Sequence, residues 1–453
     1  MTSVSTPPTH RKLRQVALAV GIGNFLEWYD FAVYGVLAVT IGSLFFAGDD
    51  PVVSTLSALG VFAVGFLFRP LGAVILGIVG DNLGRRAALV ISIIGMGVAT
   101  VLIGFLPTYS EVGVLAPVLL IVIRALQGLS AGGEWTGSAT YLIEGAPVGS
   151  RARYGSVISA TGSLATAFGS FFVLTLNTIY TTEQMLAFGW RIPFWVAGIL
   201  VVVGLFIRLR MDESPVFAEI QKQKRIVKNP LISGLRRNWK AAVLTLAFGT
   251  MHGVGYYYIS TYTVNYLQVT VGLPPRSALL ITGCGLLFHS GFCFFAGWVV
   301  DKVGRRRPNV LAALGFVIVP IPAFALMGTG NMLLVIIGFL LLIVIHAFAS
   351  VTCVVLLVEL FPAETRSSSS AVAFNFAVAF IAGPAPYIAG WLAATLQSPI
   401  APAFYLVGLA VIAVIVLGKM LPESKGWNLF LDRPTWDTHK PVVEEPTAIA
   451  TSR

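Results

Sequence analysis

Apolar runs long enough to cross a bilayer recur along almost the whole chain, and no other property limits its fold so tightly. Val16 to Phe46, Val52 to Val79, Ala87 to Leu106 and Val114 to Ile143 are the first four. A spanning helix needs about 20 such residues. Reading on gives six candidate spans before residue 210 and six between Ala241 and Leu421. Only 11% of the residues are charged, against roughly 25% in a soluble domain. The chain therefore cannot cover itself with a water-compatible surface.

The charges sit in the short connections, and they alternate from one connection to the next. Of the 30 Lys and Arg, all but Arg69, Arg124, Arg191 and Arg276 fall on one side. That asymmetry follows the positive-inside rule and predicts that both termini are cytoplasmic in a multi-pass cell-membrane protein. The net charge of +10 reads as topology and contact with anionic lipid, with no nucleic-acid partner. The first apolar run is too long for a secretory leader and lacks a small-residue cleavage pattern. Cys284, Cys293 and Cys353 lie in apolar spans without metal-ligand spacing, and read as small core residues.

Self-similarity divides the chain in two. Gly80-Asp81-Asn82-Leu83-Gly84-Arg85-Arg86 follows span 2, and Val300-Asp301-Lys302-Val303-Gly304-Arg305-Arg306 follows span 8. Leu142-Ile143-Glu144 with Pro147 and Arg151 follows span 4; Leu357-Val358-Glu359 with Pro362 and Arg366 follows span 10. Glu213-Ser214 after span 6 is echoed by Glu423-Ser424 after span 12. Chance matching of apolar helices would not preserve charged turn residues in the same order. The prediction is an all-α membrane protein of twelve helices in two pseudo-symmetric six-helix bundles. Residues 1–209 form the first bundle with its cytoplasmic N-terminus, and 241–420 the second. A basic linker, 210–240, joins them as a tether near lipid headgroups, and 421–453 is a cytoplasmic tail without a coiled-coil repeat.

Two such halves are an arrangement that rocks about a central site. Gly84 and Gly304 permit tight helix reversals, and Asp81 and Asp301 can cap the next helix start. Arg85, Arg86, Arg151, Arg305 and Arg366 can pair with Glu144 or Glu359 across the bundle ends. Such pairs must break when that side opens, so they bias which state is populated.

These turns resemble the major facilitator superfamily. A narrower match is carried by Gly23-Asn24-Phe25-Leu26-Glu27-Trp28-Tyr29-Asp30-Phe31 with Tyr34-Gly35, by Arg69-Pro70-Leu71-Gly72, and by Arg124, Gln127-Gly128 and Gly132-Gly133-Glu134. Glu213-Ser214-Pro215-Val216-Phe217 agrees as well. Together they look like the metabolite:proton symporter family, which includes carriers of proline and betaine, citrate, 2-oxoglutarate and shikimate. The resemblance implies the major facilitator fold and transport rather than catalysis. Osmosensing members carry a long C-terminal coiled coil that this chain lacks, which argues against an osmoregulatory role.

A charge at mid-bilayer costs roughly 2.5–3.5 kcal/mol on insertion scales, yet spans 1, 2 and 4 hold Glu27, Asp30, Arg69, Arg124 and Glu134. Helical spacing places Asn24, Glu27, Phe31 and Tyr34 on one face with Asp30 at its edge, and Arg124, Gln127, Glu134 and Ser138 on another. Both faces are expected to line a central cavity. Two Arg–acid pairs would leave one carboxyl over, and a buried unpaired carboxyl can take up a proton near neutral pH. Glu27, Asp30 and Glu134 are the candidates, with Arg124 beginning an Arg-x-x-Gln-Gly pattern that the resemblance links to proton coupling. Asn24, Tyr34, Arg69, Gln127, His252, Tyr256 and Asn375 are the candidate substrate contacts, Arg69 by a bidentate grip on a carboxylate. His289 and His346 read as packing residues.

The leading expectation is a monomeric symporter that binds a proton and a small polar solute, most simply an organic acid, with no cofactor or metal. A proline- or betaine-type zwitterion is the alternative solute, and a drug/proton antiporter the alternative mode. A membrane enzyme or receptor finds no metal cluster, nucleophile elbow or phosphate loop in the sequence. A simple channel would not need gating turns repeated in both halves.

Overall fold

The computed structural model describes residues 10–46, 48, 50–83, 85–132, 134–209, 238–362 and 366–429. The linker up to residue 237 and the tail beyond Leu429 lie outside these residues. Among them every regular element is a helix.

The helices follow one another as twelve crossings. Span 1 is His10–Val36 continued by Ala38–Phe45, span 2 is Pro51–Leu67 with Arg69–Leu83, span 3 is Arg85–Ile103, and span 4 is Leu115–Ala131 with Glu134–Gly145. Span 5 is Arg151–Ile179, span 6 Ile192–Leu209, and span 7 Trp239–Tyr257 running through Tyr258–Tyr262 into Thr263–Val269. Span 8 is Pro275–Val303, span 9 Arg306–Ile318 with Pro320–Met327, and span 10 Met332–Glu359. Span 11 runs Arg366–Ala377, Val378–Ala382 and Ala385–Leu396, and span 12 is Pro402–Met420. Eight of these are long and apolar enough to cross a membrane by length and composition, or ten when two bent pairs each count as one. Span 7 fails that test for a physical reason. Its tyrosines, His252 and Asn265 make it polar, and nearly all of it is buried against protein.

Helix starts follow the capping chemistry of the sequence. Asp50 accepts a hydrogen bond from the Val52 amide ahead of Pro51, and Asn331 accepts from the amides of Leu333 and Leu334. Both satisfy orphan donors of a first turn. Span 1 bends by 59° between its two helices and span 9 by 49° before Pro320, where the missing proline N–H interrupts the ladder. Spans 7 and 11 each contain one π-helical turn, at Tyr258–Tyr262 and Val378–Ala382.

Close contact between spans 2 and 4 positions the first-half charges. A Cβ on Gly128 would meet the Gly65 carbonyl oxygen at 1.8 Å, so only glycine lets these backbones approach. Ile199, Val202, Phe206, Leu311 and Ile412 are exposed, as suits helix faces turned to lipid. Cys284 is exposed while Cys293 and Cys353 are buried, so the expectation of three core cysteines holds for two. Cys284 sits on an outward face of span 8, where a small apolar thiol suits lipid.

Candidate functional site

Two constellations of charge stand out, one within the spans of the first half and one at the end where the basic turns gather. In the first, Arg69 Nη2 lies 3.8 Å from Glu27 Oε1, with both side chains almost wholly buried. The Arg69 guanidinium also sits over two rings, 4.5 Å from the centroid of Phe31 and 4.7 Å from that of Phe66. Its Nε and Nη2 make no hydrogen bond among the described residues.

Among the described residues Arg124 makes no direct ion pair with an acid. Its Nη1 donates to Gln127 Oε1 at 2.7 Å. The Gln127 amide then donates to Asp30, 3.0 Å from Oδ2, and to Thr100 Oγ1 at 2.9 Å. The guanidinium lies instead 4.1 Å from the centroid of Tyr34, held there as a cation over an aromatic face. Gln127 is thus a wedge that links Arg124 to Asp30 and keeps them apart. The Glu134 side chain lies outside the described residues.

Several predicted solute contacts are used for helix packing. Asn24 donates to the Ile158 carbonyl and Thr161 Oγ1, each at 2.9 Å, and accepts from Trp28 Nε1, so its amide fastens span 1 to span 5. Tyr34 donates its hydroxyl to the Ala58 carbonyl. Asn375 donates to the carbonyl of Gly132 at 2.8 Å, tying span 11 to span 4. Helical spacing assigned these groups to faces, but could not show that neighbouring carbonyls already occupy them.

Aromatic side chains from both halves surround the Arg69 region. Trp28 meets Tyr256 edge-on at 4.7 Å between centroids and Tyr257 at 6.3 Å; Phe66 meets Tyr257 at 4.9 Å. Tyr256 shares a hydrogen bond with Thr166 at 3.0 Å. His252 stacks on Trp135 at 5.3 Å and His346 at 5.4 Å.

A cavity of about 350 Å³ lies elsewhere, toward the end opposite the basic turns. Thr55, Tyr262, Asn265, Tyr266, Gln397 and Pro399 are among its lining residues. It contains none of the buried charges. Below it the halves approach closely: Asn265 donates to the Gly35 carbonyl at 3.0 Å. The charge cluster is therefore more enclosed than the cavity above it.

The second constellation closes the basic end. Glu359 receives Arg151 at 3.1 Å from the first half and Arg305 at 3.2 Å from the second, while Arg366 pairs with Glu144 at 2.5 Å. Asp301 accepts from the backbone N–H groups of Ala152 and Arg153, each at 3.0 Å. It therefore caps the start of span 5 in the other half, correcting the expectation that it caps the helix following its own turn. A carboxylate at that N-terminus also meets the positive end of the helix dipole. Gly304 adopts a φ of 109°, and a Cβ there would meet the Glu423 carboxylate at 2.4 Å. Asp81, Gly84, Arg85 and Arg86, the equivalent turn of the first half, lie outside the residues whose side chains are described.

Sequence reading missed the strap after span 12. Ser424 Oγ donates to Glu359 at 2.5 Å, and Glu423 accepts from the amides of Arg305 and Arg306. The carbonyl of Trp427 accepts from Arg151 at 2.8 Å, and that of Leu429 from Arg366 at 2.7 Å. One arginine from each half is thus fastened to one short segment. The repeated Glu-Ser pair was the available signal, although its backbone partners were not legible.

Comparisons with known proteins agree with this architecture. The family model described as Major Facilitator Superfamily matches residues 20–385. The chain is 34% identical over 426 residues to the glycine betaine/proline/ectoine/pipecolic acid transporter OusA of Dickeya dadantii, covering 91% of this chain and 84% of that one. It is 36% identical over 384 residues to the inner membrane metabolite transport protein YhjE of Escherichia coli, covering 83% and 87%. Its fold matches the proton:xylose symporter XylE bound to 6-bromo-6-deoxy-D-glucose with a TM-score of 0.75, at 20% identity over 93% of this chain and 98% of that one. The chain belongs to the major facilitator superfamily, as a membrane transporter rather than an enzyme.

Proposed function

We propose that the protein is a proton-coupled symporter that imports a small zwitterion of the proline or betaine class. It acts as a monomer in the inner membrane, with both termini cytoplasmic and bundles divided at the 210–240 linker. The observation that carries this reading is Arg69, buried beside the Phe31 and Phe66 rings, with Nε and Nη2 making no hydrogen bond among the described residues and only a 3.8 Å ion pair to Glu27. A guanidinium grips a carboxylate bidentately, and aromatic faces such as Trp28, Tyr256 and Tyr257 favour an adjacent ammonium.

Relatives such as OusA, whose name lists glycine betaine, proline, ectoine and pipecolic acid, favour this zwitterion over the organic acid that the sequence first suggested. Glu27 and Asp30 are the acids placed to carry the proton. Solute and proton enter from the end opposite the basic turns, the ion pairs at the basic end break, and both are released inside.

Uptake into proteoliposomes under an inward proton gradient tests the proposal. Radiolabelled proline or glycine betaine accumulates, while citrate and 2-oxoglutarate do not. Accumulation of the dicarboxylate alone would overturn the solute class. Uptake driven by an outward proton gradient would mean antiport.

A further inference from the structure

Two histidine rings, joined at one end by a serine and at the other by the backbone carbonyl of a third histidine, form a single hydrogen-bonded row between the two halves. Ser163 Oγ of span 5 lies 2.7 Å from His289 Nδ1 of span 8. His289 Nε2 lies 2.9 Å from His346 Nδ1 of span 10, and His346 Nε2 lies 3.0 Å from the carbonyl oxygen of His252 in span 7. Both His289 and His346 are fully buried. A nitrogen-to-nitrogen separation of 2.9 Å is a hydrogen bond rather than a metal bridge, and no metal-holding group of His, Cys, Asp or Glu occurs among the described residues.

The row fixes its own protons. A carbonyl oxygen only accepts, so His346 Nε2 carries a hydrogen and donates to it. In the neutral ring Nδ1 is then bare, so His289 Nε2 must donate to it. His289 Nδ1 is bare in turn and accepts from the Ser163 hydroxyl. Both rings are neutral, every atom is satisfied, and the direction runs from the first half into the second. The row cannot conduct a proton through, because the His252 carbonyl cannot pass one on. It can hold one. A proton arriving at His289 Nδ1 reverses the first link, and Ser163 changes from donor to acceptor.

We propose that the His289–His346 pair is a proton-binding site, separate from the acids of spans 1 and 2, whose occupancy is set by the contact of span 5 with span 8. The route to it is a line of hydroxyls: Tyr256, which edges the central aromatic region, meets both Thr166 and Ser163. The titratable groups facing the pair are His252 and Tyr256 from span 7 and Cys293, 3.6 Å from His289 Nδ1, from span 8. Span 5 contributes Ser163, and no carboxylate, lysine or arginine acts on either ring among the described residues. Two charged rings would therefore repel without a counter-ion, so the pair holds one proton between them. Opening the seam between spans 5 and 8 admits the proton, and closing it to this dry arrangement expels it.

Nitrogen-15 spectra of histidine in the full-length protein in lipid nanodiscs test this without any solute. His289→Gln and His346→Gln assign the resonances. The pair moves from neutral to charged shifts as pH falls from about 8 to about 5, the range in which histidine changes charge. Ser163→Ala removes the acceptor of the charged form and lowers that midpoint by about one unit. Rings that stay neutral throughout would overturn the proposal. A titration unmoved by Ser163→Ala would overturn the link to span 5. Because Ser163→Ala changes one small hydroxyl, it retains the test even where the histidine variants fail to fold.

Discussion

The basic-end cluster and the intramembrane cluster use the same side chains and differ in how completely they are satisfied. At the basic end Glu359 receives two arginines and Ser424, Asp301 receives two backbone amides, and of the paired arginines only Arg151 keeps a buried donor, Nε, without a hydrogen bond among the described residues. Within the spans, Arg69 and Arg124 each keep Nε and Nη2 without a hydrogen-bond partner among the described residues. A lock is most fully paired in the state that it holds. A receptor must keep donors for what it receives, and buried donors without partners cost roughly 1–3 kcal/mol each or more when charged.

The sharpest way to break that contrast is to spoil the lock. Glu359→Gln leaves Arg151 and Arg305 facing each other, and removing one partner from a buried ionic cluster costs about 3–5 kcal/mol. The basic end then opens. A cysteine placed at Ser156, in a background without the native cysteines, should react with a maleimide many times faster than in the unmodified gate. Unchanged labelling would show that the cluster does not hold the end shut.

Spoiling the receptor should leave the gate alone. Arg69→Ala removes a charged hydrogen-bond donor worth about 1.5–3 kcal/mol, so KM for proline or betaine rises roughly ten- to a hundredfold while Ser156 labelling stays as before. Arg69→Lys keeps the charge and loses the fork, and recovers only part of the affinity. An effect of Arg69→Ala on labelling with none on KM would reverse the two assignments.

A smaller effect separates members of the lock. Glu144 is part-exposed in its pair with Arg366, so screening limits Glu144→Gln to about 1 kcal/mol or less. Labelling at Ser156 should rise far less than with Glu359→Gln. The smallest effect lies outside both clusters, in the connection between spans 3 and 4. Hydrogen bonds from the Thr108 amide and hydroxyl hold the Glu111 carboxyl below its ordinary range. A lowered folded value means that this cap is intact above the ordinary carboxylate range and is lost as pH falls through the depressed one. Amide exchange at Thr108 should quicken there, with no change at the gate.

Much of this was legible in the sequence, for different reasons in different places. The repeated Asp301 and Glu359 motifs reported the turns, because charge in a short turn is conspicuous against apolar spans. Glu27, Asp30, Arg69 and Arg124 were conspicuous for the same reason. The Gln127 wedge was not, since spacing places side chains on faces without showing which hydrogen bonds they complete. His289 and His346 read as packing because residues 57 apart in sequence meet only through the crossing of spans 8 and 10. The π turn at Tyr258–Tyr262 also shifts the phase of span 7, so a wheel drawn from His252 loses its register before Asn265.

The strap after span 12 has a consequence for the order in which the protein is made. Arg151 leaves the ribosome long before Trp427, and Arg366 before Leu429, so neither arginine finds its last acceptor until the segment after span 12 has emerged. Chains emerge at about 5–20 residues per second, which leaves the basic end incompletely sealed while both halves insert. A transporter fastened by the segment after its last span cannot set its gate before all its helices are present.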